Sequence, residues 1–138
     1  MATYQLDIVT PAGTLFSGQV RHVRAPGIEG SLGVLAGHAP LMTALSVGPI
    51  VLHYENGDQE YIATSGGFME VRRDRVTILA DTAERADDVD VARAEAAIER
   101  ARAELGGGGA VNYAEANAAL ERATNRLKCV QMSRQGER

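Results

Sequence analysis

Asp81-Thr82-Ala83-Glu84-Arg85-Ala86-Asp87-Asp88 is the stretch at which this chain changes character. Before it, apolar residues tend to recur at every second position. After it they recur at alternating spacings of three and four. The first period belongs to half-buried β-strands and the second to amphipathic helices. An α+β chain is therefore expected, with an N-terminal β-sandwich over residues 1–84 and a C-terminal antiparallel two-helix hairpin over residues 85–138.

Upstream of that point, Tyr4, Leu6 and Ile8 alternate with Gln5, Asp7 and Val9, and Pro11-Ala12-Gly13 turns the chain. The clearest hairpin runs from Ile50 to Glu55, through Asn56-Gly57, and back from Asp58 to Thr64. Asn-Gly is favoured in two-residue type I′ turns, where both positions need positive φ. Such a turn sets Tyr54 opposite Gln59, His53 opposite Glu60 and Leu52 opposite Tyr61. Ile50, Leu52, Tyr54, Tyr61 and Ala63 then share a core-facing side, and His53 shares the wetter side with Glu55, Asp58 and Glu60. A second hairpin is expected from Phe68–Val71 through Arg72-Arg73-Asp74 to Val76–Leu79, with Gly66-Gly67 marking a bulge or sharp bend ahead of it.

Downstream, Asp87 or Asp88 is placed to cap a helix, and acidic groups suit its positive N-terminal end. Val91, Ala94, Ile98, Ala101 and Leu105 form one seam; Tyr113, Ala116, Leu120, Ala123, Leu127 and Val130 form another. They predict helices over about 88–105 and 111–132, joined by the Gly106–Gly109 link. Alanine recurs in each seam and forgoes most of the roughly 1.5–3 kcal/mol that a buried Leu or Ile contributes. Isolated helices of this length are marginal in water. The hairpin is expected to be weakly held and cheaply switched.

At 138 residues the chain has room for one ordinary domain, or a compact domain with an appendage. The net charge of -4 argues against broad nucleic-acid binding, which needs a basic face. No apolar run approaches the ~20 residues of a spanning helix, so no direct membrane insertion is expected. Met1 to Leu6 enters strand-like alternation with no signal core ahead of it, which reads as a cytoplasmic or organelle-encoded chain. Cys129 is the single cysteine, ruling out an intramolecular disulfide and a four-cysteine zinc site; a packing or surface role is expected for it.

Catalytic arrangements are not found. His22, His38 and His53 lack metal-ligand spacing, and no Gly-Lys-Ser/Thr phosphate loop occurs. Ser65 lacks the glycine two residues earlier that a nucleophile turn requires, so it reads as part of a strand-end bulge. No catalytic residue, metal or required cofactor is expected, and the chain does not read as an enzyme.

Two features leave alternatives open. Gly27, Gly30, Gly33 and Gly37 serve turns between short strands, or the segment presents Glu29, Ser31 and His38 on a rigid docking edge. On the helices, Arg93 and Arg100 lie seven apart behind Asp90, and Arg122 and Arg126 lie four apart. These arginines form an ordinary solvated face, whose ion pairs contribute only tenths of a kcal/mol. The other reading has four guanidiniums converging on a triphosphate through charge-assisted, often bidentate bonds.

Three motifs narrow the choice: Gly30-x-Leu32-Gly33-Val34-Leu35-x-Gly37-His38-x-Pro40-Leu41, Ser65-Gly66-Gly67-Phe68-x-Glu70-Val71, and Val76-Thr77-Ile78-Leu79-Ala80-Asp81-Thr82-Ala83-Glu84. As a set, from Leu6 to Leu127, they resemble the epsilon subunit of F-type ATP synthases. The resemblance implies a non-catalytic rotor subunit, peripheral at the cytoplasmic face of the cell membrane. Its sandwich would join the gamma subunit to the proton-driven c-ring, which Ser31 and His38 would face. Its hairpin would extend to inhibit ATP hydrolysis, with Arg122, Arg126 and Lys128 meeting the catalytic alpha and beta subunits. Some members bind ATP as a regulatory ligand through Ile/Leu-Asp-x-x-Arg-Ala, matched here by Val89-Asp90-Val91-Ala92-Arg93-Ala94 except for the conservative Val89. By the same match Glu84, Arg100, Arg122 and Arg126 complete a nucleotide site. A stand-alone ATP-binding sensor and a purely structural adaptor are the alternative functions.

Overall fold

The structure is a computed structural model that describes residues 2–107 and 112–135. Gly108 and Gly109 of the expected glycine link lie outside them. Ten strands come first: β1 (Tyr4–Thr10), β2 (Gly13–Val20), β3 (His22–Gly27), β4 (Gly30–Leu35), β5 (Leu41–Leu45), β6 (Gly48–His53), β7 (Gln59–Thr64), β8 (Gly67–Val71), β9 (Arg75–Ala80) and β10 (Ala83–Arg85). A 3-10 turn at Ala86–Asp88 leads into α1 (Val91–Gly106), and α2 (Tyr113–Gln135) follows.

Hydrogen bonding divides the strands into two five-stranded halves, β4-β3-β6-β7-β10 and β5-β8-β9-β1-β2, joined through the Gly27–Leu45 pair. The halves face one another as a sandwich. Leu6, Ile8, Ile50, Leu52, Ile62 and Met69 fill the space between them, all fully buried. Alternation along β1 delivers this directly, since Tyr4, Leu6 and Ile8 are all core residues. Gly67 lets β8 start against β9: at φ +142°, a Cβ there would stand 2.1 Å from the Leu79 carbonyl oxygen. The bend expected at Gly66-Gly67 is thus a required close approach.

The β6–β7 hairpin corrects the expected register. Gly57 N–H donates to the Tyr54 carbonyl at 3.1 Å, and Tyr54 N–H to the Asp58 carbonyl at 2.9 Å. Gly57 takes φ +95°, whereas Asn56 does not have positive φ. The connection is therefore a three-residue loop built on a type I turn, in place of the two-residue type I′ form. His53 pairs with Gln59, Leu52 with Glu60 and Val51 with Tyr61. One residue of slip exchanges the faces. Ile50, Leu52 and Ile62 enter the sandwich core, while Val51, Tyr61 and Ala63 pack on the outside with Ala86 and Cys129. Glu60 leaves the expected wet face and is held by Tyr54 Oη at 2.7 Å and by Arg85.

The helices also begin later than expected. Asp87 and Asp88 lie in the 3-10 turn, and Asp90 is the cap, its Oδ1 accepting from Arg93 N–H at 3.1 Å. α2 packs on β7 and β6, and α1 packs on α2. The predicted seams hold: Ala94, Ala101, Ala116, Ala123 and Val130 are buried, although Tyr113 is half exposed.

His22 and His53 stand opposite each other across β3 and β6, ring centroids 4.8 Å apart. Partial burial holds both below the ordinary 6.5, helped by the Arg21 and Arg24 charges and, for His22, by the His53 ring. The unfolded chain therefore takes up these protons first as pH falls. The stability the neutral pair contributes is present in full above 6.5 and declines as pH drops through 6.5 toward the folded values. Thermal melts between pH 7.5 and 5 should show that decline, and it should flatten in the His22→Gln/His53→Gln double variant.

Candidate functional site

The residues Val89-Asp90-Val91-Ala92-Arg93-Ala94 form the entry to α1. Val89 precedes the cap and its N–H donates to the Ala86 carbonyl at 3.2 Å. Asp90 caps, Arg93 supplies the capped N–H, and Ala94 N–H closes the first helical bond on the Asp90 carbonyl at 3.0 Å. An aspartate at this place satisfies a donor that the helix leaves unpaired. Its consequence is positional, because it fixes Arg93 on the first turn beside α2.

A cavity of about 430 Å³ opens there between β10, α1 and α2. Glu84, Asp90, Arg93, Arg100, Arg122 and Arg126 line it, over a floor of Ala94, Ala97 and Ala119. Of the eight residues expected at a nucleotide site, seven line this cavity. Val89 does not, since it lies ahead of the cap and half-buried. Ala97 and Ala119 are additions, and neither stands on the seams that periodicity marks. Four guanidiniums against two carboxylates leave the lining net positive.

The arginines differ in availability. Arg126 Nε donates to Glu84 Oε1 at 3.1 Å, and Arg122 pairs with Glu115 at 3.7 Å. Among the described residues, Arg93 and Arg100 form no ion pair. A second cavity of about 240 Å³ shares Glu84, Arg122 and Arg126 and continues toward Ser65 and Thr82, whose hydroxyls bond at 2.7 Å. Such volumes fall near or within the range of small-molecule sites. An anion with several oxygens, entering beside Arg93 and Arg100, would gain charge-assisted bonds without first breaking an ion pair.

Lys128 is placed apart from Arg122 and Arg126. It faces the opposite flank of α2, where it lines a groove with Arg24 and Ser31. Ser31 and His38 are likewise separated, Ser31 near the start of β4 and His38 beyond its end. His38 Nδ1 donates to the Ala39 carbonyl at 2.7 Å.

A buried polar residue on α2, hidden in the sequence among solvated neighbours, anchors the helix beside this cavity to the sheet. Asn125 is 8% exposed, and its Nδ2 donates to the carbonyls of Gly48 at 2.9 Å and Thr64 at 3.3 Å. Its Oδ1 lies 3.9 Å from the Cys129 thiol. Asn125, Cys129 and Met132, at spacings of four and three, form a second stripe on α2 that meets the sheet; the polar first member conceals it. Burial raises the Cys129 thiol to about 11.

These features, with the sandwich and hairpin, can be set beside known proteins. Residues 3–86 match the family described as "ATP synthase, Delta/Epsilon chain, beta-sandwich domain", and residues 87–131 match "ATP synthase, Delta/Epsilon chain, long alpha-helix domain". The chain belongs to the ATP synthase delta/epsilon family. It is 48% identical over 131 residues to the "ATP synthase epsilon chain" of Desulforamulus reducens, covering 94% of this chain and 98% of that one. It is also 48% identical over 141 residues to the protein of the same name from Dehalococcoides mccartyi strain BAV1, covering 97% and 96%. A chain in the Euglena gracilis mitochondrial ATP synthase OSCP/F1/c-ring structure superposes with a TM-score of 0.83 at 26% identity, covering 95% of this chain and 82% of that chain. One from the Tetrahymena thermophila mitochondrial central stalk/c-ring shares the fold, with a TM-score of 0.59 at 14% identity, over 94% and 97%. The family boundary at 86/87 falls inside the 3-10 turn, where the period changes. A member of this family is a stalk subunit and not a catalytic one.

Cys129 reports on docking because it is fully buried on the face of α2 that meets the sheet. Asn125→Ala removes two neutral hydrogen bonds, together about 1–3 kcal/mol. Labelling of Cys129 by a small thiol reagent should accelerate about five- to 150-fold in that variant. Unchanged labelling would remove Asn125 from the docking contact.

Proposed function

We propose that this chain couples the catalytic head of an F-type ATP synthase to a proton-driven c-ring and restrains ATP hydrolysis through its hairpin, with ATP as the regulatory ligand. The observation that carries this reading is the composition of the arginine cavity. Its residues come from β10, α1 and α2, so it exists only while the hairpin lies on the sandwich. A ligand that binds only this arrangement shifts the population toward it. ATP suits the site, with the triphosphate meeting Arg93 and Arg100 and then drawing on Arg122 and Arg126.

Without ATP the hairpin is free to leave. Arg122 and Arg126 then exchange Glu115 and Glu84 for an acidic segment of the catalytic alpha and beta subunits, and Lys128 joins them from the other flank. One pair of arginines thus serves two exclusive contacts. That exclusion makes ATP relieve the restraint.

The sandwich supplies the static contacts. On the outer face of β5, β8 and β9, Met42, Phe68 and Leu79 are 67%, 55% and 55% exposed, and Phe68 pairs directly with Leu79. A contiguous apolar patch away from the helices fits a permanent partner, here the gamma subunit. Ser31 and His38 face the c-ring in this reading. The assembly places the chain peripherally at the cytoplasmic face of the membrane. Among the described residues, no helix is long and apolar enough to cross it.

Calorimetric titration with ATP tests the ligand. One-site saturable binding is expected, weakened about ten- to a hundredfold in Arg93→Ala by loss of a charge-assisted contact. Absence of binding at millimolar ATP would remove ATP from the scheme. In the assembled enzyme, deletion of residues 87–138 should raise ATP hydrolysis; an unchanged rate would leave a purely structural adaptor.

A further inference from the structure

A cavity larger than the arginine site lies elsewhere among the described residues. It has a volume of about 560 Å³ and lies on the opposite flank of α2. Its origin is architectural. The outer face of β4-β3-β6-β7-β10 is five strands wide, and α2 packs on β7 and β6 with α1 beside it near β10. The outer face of β3 and β4 is left beside the helix, forming one wall of a groove.

Register determines what that wall carries. Arg24 pairs with Val51 and Pro26 with Ser31, so all four stand on the helix-bearing face. Pro26, Val47, Pro49 and Val51 give the groove an apolar floor. From α2, Glu121, Thr124, Asn125, Lys128 and Met132 form the other wall, at spacings of three, one, three and four along one helix stripe. Two cations, Arg24 and Lys128, border the floor. Both are exposed, and among the described residues neither side chain makes a hydrogen bond or an ion pair. Glu121 is the single carboxylate in the lining, two helical turns before Lys128.

We propose that this groove binds a small amphiphilic anion, an alkyl carboxylate with its chain on the proline–valine floor and its head toward Arg24 and Lys128. Size favours a small molecule over a partner helix. A helix about 10 Å across fills roughly 400 Å³ per turn, so the cavity holds little more than one turn. The same volume lies within the ordinary range for small-ligand sites, which combine apolar walls with a few polar anchors. Unpartnered cations at the rim of an apolar floor complement a charged head on an alkyl tail. Because α2 forms one wall, the occupied groove holds the hairpin down. The effect adds to that of a ligand in the arginine cavity, since each site exists only in the docked form.

Methionine methyl resonances test this within the intact chain, using decanoate below its aggregation concentration as the probe. Met132 lines the groove, Met42 lies exposed on the opposite sheet, and Met69 is buried in the core. A saturable shift of Met132, with Met42 and Met69 unmoved, is expected. Arg24→Gln/Lys128→Gln should weaken binding about tenfold or more, as loss of a charge-assisted contact requires. Both substituted side chains are exposed, and the Met69 resonance verifies the core in the variant. Decanoate should also slow Cys129 labelling. No Met132 shift, a non-saturating shift shared by Met42, or equal affinity in the double variant would overturn the proposal.

Discussion

The docking of α2 on the outside of the β6–β7 pair is the contact on which every other feature of the C-terminal half depends. Its apolar part is small: Val51, Tyr61, Ala63, Ala86 and Cys129, with Met132 at the margin. Alanines and a cysteine bury little area, so the hydrophobic contribution is modest. Asn125 supplies direction, because its two donated bonds to Gly48 and Thr64 fix where along the sheet the helix rests. A polar group that is satisfied in one arrangement, and stranded in others, selects a position more than it adds strength. The contact is therefore well defined and weak, a combination suited to the detachable hairpin proposed above.

From that one contact follows the division of the molecule into a permanent part and a conditional one. The sandwich has its own core of large aliphatic residues, none of which comes from the helices. The arginine cavity and the apolar groove flank α2 on either side, and both vanish when it lifts. Any ligand of either site therefore acts on docking through its differential affinity, by an amount set by concentration over dissociation constant. The outer face of the other sheet, with Phe68 and Leu79, is unaffected by this equilibrium. In the proposed scheme, permanent assembly and reversible regulation thus occupy opposite faces of one sandwich.

Much of this was legible in the sequence, for identifiable reasons. The change from period two to spacings of three and four located the boundary, and Tyr4, Leu6 and Ile8 showed the core face of β1. The arginine set was legible as spacing, and the resemblance supplied the reading of it. What escaped lay at single-residue resolution. Asn-Gly suits either a two-residue or a three-residue loop, and only cross-strand packing selected the three-residue form with Gly57 at positive φ. Three aspartates competed for one cap, and the 3-10 turn absorbed Asp87 and Asp88. Asn125 was invisible because a buried polar residue looks like a solvated one until its acceptors on β6 and β7 are in place.

Native-state hydrogen exchange, read separately for the helices and the core strands, bears most directly on the claim that the hairpin is an independently detachable layer. The account requires amides of α1 and α2 to exchange well before those of Leu6, Ile50 and Ile62, through an opening that leaves the sandwich intact. ATP at a hundred times its dissociation constant should slow the helix amides roughly a hundredfold and leave the strands unchanged. Helices and strands exchanging together, with no response to ATP, would show that the protein opens as one unit and contradict the account.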